Sequence, residues 1–250
     1  MNDSDYGKLV SPTEVRFERL LPGPIETVWA FITDSEKRGE WFASGPMELR
    51  VGAKFTLRFK HSSLSPNKAP APERFREMDK TGHEWTGEIT EVDPPRRLAF
   101  FSNDSEVVFD LKPVKDAKGE DKVLLILTHR RLPNREMVVG VMGGWHSHLA
   151  VLVDKAHGRT PPAFWDIWRA NDGVYDKRVP PDCCGLLLDE ATGRGRGDIR
   201  AGLVIAQNQK LALGVDLATN AAPVGGTGGL QAAIEARFVG LPGRVRQLAR

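Results

Sequence analysis

The chain has 250 residues, 40% hydrophobic and 27% charged, with a formal net charge of +2, which supplies apolar material for one good core and a small second one. Residues 181–250 carry 8 Lys/Arg against 6 Asp/Glu, leaving 27 of each in residues 1–180, and so neutral a body lacks the clustered positive charge that nucleic-acid binding requires. Neither an apolar run of about 18 residues nor a basic, apolar leader is present, so no membrane span and no secretion signal are expected, and a cytoplasmic location is implied.

Residues 15–20 alternate, with Val15, Phe17 and Arg19 on one side of an expected strand. Pro22 and Gly23 break it. Pro24 then stands where the first turn of a helix tolerates proline, and Ile25, Val28, Trp29 and Ile32 share one face of that helix. Asp34 is a capping residue for a second helical turn that delivers Trp41 and Phe42 to the core edge. Residues 52–59 alternate again, placing Phe55, Leu57 and Phe59 on one face. Residues 61–84 contain Pro66, Pro70 and Pro72 and then charge, which predicts a loop insertion, either plainly solvated or lying over a cavity mouth. Strands are expected over 85–92, 98–101, 106–113 and 123–129, the last apolar enough to imply a central place.

A long helix is expected from the cap Asn134 to the stop Gly158, with Val138, Val141, Met142, Trp145, Leu149, Leu152, Val153 and Ala156 in one stripe. Gly140, Gly143 and Gly144 each cost about 1 kcal/mol relative to alanine in a helix, which is offset either by close packing or by space left beside Trp145. His146 and His148 lie about 200 degrees apart on the helix, so they form no metal pair; His148 flanks the apolar stripe and His146 is expected to face water. His148, and His129 at its strand end, read as satisfied core or rim residues or as ligand contacts. Phe164, Trp168 and Tyr175 could share a face, packing on the outside of the domain or forming a patch for a homodimer partner.

Several of these segments together carry a family resemblance. Pro24-Ile-Glu-Thr-Val-Trp29, Trp41, the segment running from Gly87 through Pro94-Pro95 to Leu98, Leu127-Thr-His129 and Gly143-Gly-Trp145 occur in an order that resembles the START-like superfamily. The branch is similar to the C-terminal domain of the activator of the heat-shock-protein-90 ATPase. The resemblance implies an α+β helix-grip fold, in which a curved antiparallel β-sheet wraps around a long C-terminal α-helix and encloses a cavity. On that basis residues 1–13 are an N-terminal tail, 14–178 one helix-grip domain, and 179–250 a Gly/Ala/Arg-rich, mostly disordered tail.

The tail has 12 glycines after Pro181 and Phe238 as its one aromatic residue, a bias that an altered reading frame in a GC-rich gene would also produce. Cys183 and Cys184 are adjacent, which suits neither a structural disulfide nor a zinc site. No metal, cofactor or catalytic residue is expected, because no nucleophile, phosphate-loop or dinucleotide motif occurs in the body. The expected cavity is lined by Trp41, Phe55, Trp85, Phe100, Trp145, His148 and Leu149, and its partner is an apolar or amphipathic small molecule. The absence of a recognisable acid/base pair favours a binding module over an enzyme of the polyketide-cyclase kind. A co-chaperone role is the weaker implication: eukaryotic co-chaperones of the family carry a further N-terminal domain, and about a dozen residues precede the first strand here.

Overall fold

The computed structural model describes residues 5–183; the reading of the chain from residue 184 onward as a disordered tail lies outside them. Seven antiparallel strands form one sheet in the order β1-β2-β7-β6-β5-β4-β3: β1 Lys8–Ser11, β2 Glu14–Pro22, β3 Lys54–Phe59, β4 His83–Asp93, β5 Arg97–Ser102, β6 Ser105–Lys115 and β7 Asp121–Arg130. The helices are α1 Ile25–Thr33, α2 Ser35–Gly39, α3 Arg76–Thr81, α4 Arg135–Ala156, α5 Phe164–Asn171 and α6 Val174–Arg178. The curved sheet grips α4, which packs against β2, α5 and α6.

Local chemistry explains the elements. Asp34 Oδ1 accepts from the amides of Glu36 and Lys37 and so starts α2, and Asn134 Oδ1 accepts from the Met137 amide to start α4; such caps are worth about 1 kcal/mol each. In β3 the inward row Phe55, Leu57 and Phe59 is buried. β7 lies between β2 and β6, paired along its whole length on both edges, which its apolar run requires. Asn103 and Asp104, both at positive φ, make the tight turn from β5 to β6 that favours Asn and Asp.

Four features depart from the expectations. The segment read as an N-terminal tail contains β1, which pairs with β2 through Leu9↔Val15; four residues were too few to show a period. Residues 61–84 are not an open loop: they hold two short 3-10 turns, α3 and the first residues of β4, with His61, Leu64, Phe75 and Met78 buried. This strap is tied down by Ser65 Oγ and Asn67 Nδ2, which both donate to the Pro161 carbonyl at 2.7 and 2.9 Å. His146 does not face water. It is 2% exposed, because Tyr6 packs on its ring at 5.0 Å and the Tyr175 hydroxyl bonds its Nδ1 at 2.8 Å. Finally, packing continues past Arg178: Val179 and Cys183 are buried, and the Arg135 guanidinium donates to the carbonyls of Val179 and Pro180.

Candidate functional site

Where β3 and β4 meet α4, the strap and α5, aromatic rings line a partly open cavity of about 50 Å³. The register Phe59↔His83 and Leu57↔Trp85 puts these side chains on the inner face of the sheet. Trp145 and His148 project from α4, His61 and Phe75 from the strap, and Phe164 and Trp165 from α5. Gly140 and Gly144, one turn apart on α4, border the space. Gly143 is not there for close packing: a Cβ at that position would meet no atom within 4 Å. At about 10–15 Å³ per water the cavity holds a few water molecules, far short of the roughly 300 Å³ at which small-molecule pockets begin.

The structure brings Trp85, Trp145 and His148 to the cavity and leaves Trp41, Phe55, Phe100 and Leu149 away from it. Trp41 donates from Nε1 to the Phe31 carbonyl at 2.8 Å, which holds its ring in the layer beneath Phe42. Phe42 stacks between Trp41 and Trp145, at 5.4 and 4.8 Å, and is the member of the pair that reaches the cavity. Phe55 instead covers Gly87, where an added Cβ would lie 2.6 Å from its ring, and it meets Phe100 edge-on at 5.2 Å. Leu149 is fully buried in the general core. Of the residues the sequence reading missed, Phe59 belonged to a recognised alternating row. His61, His83, Phe75 and Trp165 come from segments without a usable period, and Phe164 and Trp168 share the helical face that was expected to pack on the outside of the domain. The aromatic residues of α5 therefore wall the cavity instead of covering the outside of the domain.

Polar groups inside this shell are incompletely paired. His61 Nδ1, both ring nitrogens of His83, Trp85 Nε1 and Trp165 Nε1 are buried without a hydrogen-bond partner among the described residues. His148 Nδ1 lies 2.8 Å from the Trp41 carbonyl; a carbonyl only accepts, so Nδ1 carries the proton and the neutral ring keeps Nε2 as an acceptor. Trp145 Nε1 donates to His129 Nδ1 at 3.0 Å, which leaves the other His129 nitrogen to donate to Ser105 Oγ at 2.8 Å. Ser105 in turn donates to the Ser102 carbonyl, so this chain is closed and structural.

Burial is the leading cause of every histidine shift here. It lowers His83 and His148 to about 4 and His129 to about 3, and with His148 and His83 as neighbours it holds His61 well below the usual imidazole value. All are neutral at pH 7. Among the described residues, no Asp, Glu, Lys or Arg lines the cavity and no His/Cys/Asp/Glu group has the arrangement of a metal site. As it stands the cavity is too small for a ring-shaped molecule; what its wall offers is neutral hydrogen-bonding nitrogens among aromatic rings.

The sequence profile described as Activator of Hsp90 ATPase homolog 1-like protein matches residues 22–155, more than half of the chain. This chain belongs to that family. Its helix-grip core is the AHSA1-like form of the START-like superfamily. A protein of Bordetella parapertussis with a solution NMR structure is 38% identical to it, over 70% of this chain and 90% of its own, with a TM-score of 0.58. CalU16 of Micromonospora echinospora is 23% identical over 66% of this chain and 86% of its own, TM-score 0.45. An AHSA1-like protein of Aeromonas hydrophila is 18% identical over 64% and 94%, TM-score 0.38. No curated protein matches the chain. Among the described residues of this AHSA1-like chain, no helix is long and apolar enough to cross a membrane.

Proposed function

We propose that this protein binds an amphipathic small molecule with a flat, aromatic-sized body in the cavity between α4, α5 and the strap. The observation that carries this reading is the set of unpartnered nitrogens on His61, His83, Trp85 and Trp165 inside a shell of aromatic rings. A buried donor left without an acceptor costs about 1–3 kcal/mol, and a core selected for stability alone would not gather several in one place. A ligand that stacks on the rings and presents acceptors to the indole N–H groups relieves that cost. Room comes from outward movement of the strap, whose hydrogen bonds to the body include two at the Pro161 carbonyl and one from the Arg169 guanidinium to the Pro70 carbonyl.

Binding is favoured over turnover because no carboxylate faces the cavity and histidines titrating near 4 are weak general bases at neutral pH. The test is native mass spectrometry of the purified protein, followed by tryptophan quenching with a panel of apolar aromatic compounds. Retention of a small molecule, with roughly tenfold weaker binding in Trp85→Phe, which removes an N–H and little volume, supports the reading. No retained compound and no quenching across the panel overturns it.

A further inference from the structure

Three imidazoles meet where the strap covers the cavity. His61 on the strap lies 5.5 Å from the ring of His83 on β4 and 5.2 Å from that of His148 on α4, and the rings of Phe59, Phe164 and Trp165 pack round it. His61 and His148 are buried. Nδ1 of His61 and both ring nitrogens of His83 have no hydrogen-bond partner among the described residues, and His148 makes its bond to the Trp41 carbonyl as a neutral ring.

The charged groups around the cluster are engaged elsewhere. Among the described residues no carboxylate lines the cavity. On β3 and β4, Arg58 and Glu84 bond each other at 2.8 Å, and with Lys60 they line a surface groove that His83 also borders. On the strap, Asp79 Oδ1 accepts from the Ser62 amide, and on α5 Asp166 is bonded to Arg169 at 2.6 Å. His129, the other histidine of the cavity wall, is held by Trp145 and Ser105. A proton on any ring of the cluster gains no counter-ion there and stands beside at least one more basic ring.

Lifting the strap changes this. His61 leaves with it for water, and His83 and His148 lose the ring that covers them, so the open form takes up protons more readily than the closed one. The ties from Ser65 and Asn67 to the Pro161 carbonyl, and from Arg169 to the Pro70 carbonyl, contain no group that titrates between about pH 5 and 8. Burial holds His83 and His148 at about 4 and His61 well below its usual value in the closed form, against about 6.5 in water. Opening is thus favoured as pH falls, by about fourfold at pH 6.0 relative to pH 7.5 for each histidine that reaches water.

We infer that His61, His83 and His148 form a proton-operated latch, by which mild acid lifts the strap and lets the cavity exchange its ligand while the sheet stays folded. The ligand half of this rests on the cavity reading above and adds its regulation; the strap half stands without it.

Hydrogen exchange of the full-length protein at pH 7.5 and pH 6.0, corrected for the intrinsic rate at each pH, reads the latch. Opening of residues 61–81 should rise about fiftyfold at pH 6.0, the product for three histidines, with β7 still exchanging far more slowly than the strap. His61→Phe keeps an aromatic ring against Phe59 and Phe164 and removes one titrating group, so its ratio between the two pH values should be about fourfold smaller; His83→Phe should do the same. A change of packing alone would shift both pH values equally and leave that ratio unaltered. N-phenyl-1-naphthylamine, an aromatic probe that stays neutral over this range, should dissociate faster at pH 6.0 in step with strap opening. A strap whose opening ignores pH, a ratio unchanged in both variants, or strap and β7 exchanging together at pH 6.0 overturns the latch. If neither this probe nor the aromatic panel binds at pH 7.5, the cavity reading falls and exchange still decides the latch.

Discussion

His129 shows how a histidine with the look of a site residue is absorbed into the framework. Its two ring nitrogens are used by Trp145 and Ser105, and burial keeps it neutral. His129→Ala removes the acceptor of a buried indole N–H and leaves a void, so a loss of about 2–5 kcal/mol in chemical denaturation is expected. Because His129 also borders the cavity, ligand affinity in the folded fraction should fall modestly, by about the 1 kcal/mol of one hydrogen bond. The two glycines Gly87 and Gly143 make an opposed pair. An added Cβ at Gly87 would lie 2.6 Å from the Phe55 ring and 2.7 Å from the Phe101 carbonyl oxygen, so Gly87→Ala should lower the melting temperature by several degrees, as an overpacked core does at about 1–3 kcal/mol. Gly143→Ala meets nothing within 4 Å and removes a helix-interior glycine, so it should stabilise α4 by up to about 1 kcal/mol. A melting curve on each variant decides both, and equal signs would refute the packing described for these positions.

Among the elements, the strap over residues 61–84 carries the ligand question. It contributes His61 and Phe75 to the cavity wall, and side-chain hydrogen bonds to the Pro161 carbonyl and from Arg169, more than a long ladder, hold it. Segments with few anchoring bonds open locally well before the whole domain unfolds. Ser65→Ala should therefore speed amide exchange across residues 61–81 by roughly fivefold, the factor that corresponds to one lost hydrogen bond of about 1 kcal/mol, while exchange in β7 stays as slow as before. Uniformly faster exchange would mean that the strap is part of the global unfolding unit and cannot act as the moving wall. The segment after α6 behaves in the opposite way. Val179 and Cys183 are buried and Arg135 holds the carbonyls between them, so truncation after Arg178 should melt a few degrees below truncation after Cys183.

For the molecule as a whole, the buried histidines set the response to acid. His83, His146 and His148 are each lowered to about 4, and His129 to about 3, chiefly by burial. Their unfolded value is near 6.5, so below that pH the unfolded chain binds more protons than the folded one, and stability falls as pH falls. The loss begins near pH 6.5 and continues until the folded values are reached, at on the order of 3 kcal/mol for a buried histidine such as His148. Several such groups together match a total stability of about 5–15 kcal/mol, so unfolding is expected above pH 4. Denaturation midpoints between pH 7 and pH 4.5 measure this directly; a flat profile would show that the rings are solvated.

The strands, the long helix and the helix-grip family were legible in the order of the chain because each rests on a local rule: a period of two in β3, Pro24 at the opening of α1, the caps Asp34 and Asn134, the apolar run of β7. Burial of Trp145 and His148 followed from the helical period. The cavity wall was legible only in part, since it is assembled from residues far apart in sequence whose rings compete for the same volume. Periodicity named an inward face, but whether Trp41 or Phe42 reached the cavity depended on a bond from Trp41 to the Phe31 carbonyl, and Phe55 was drawn off by the hollow over Gly87. His146 was buried by Tyr6 and Tyr175, partners that no spacing along α4 could reveal, because helical position states which way a side chain points and only packing states what it meets there.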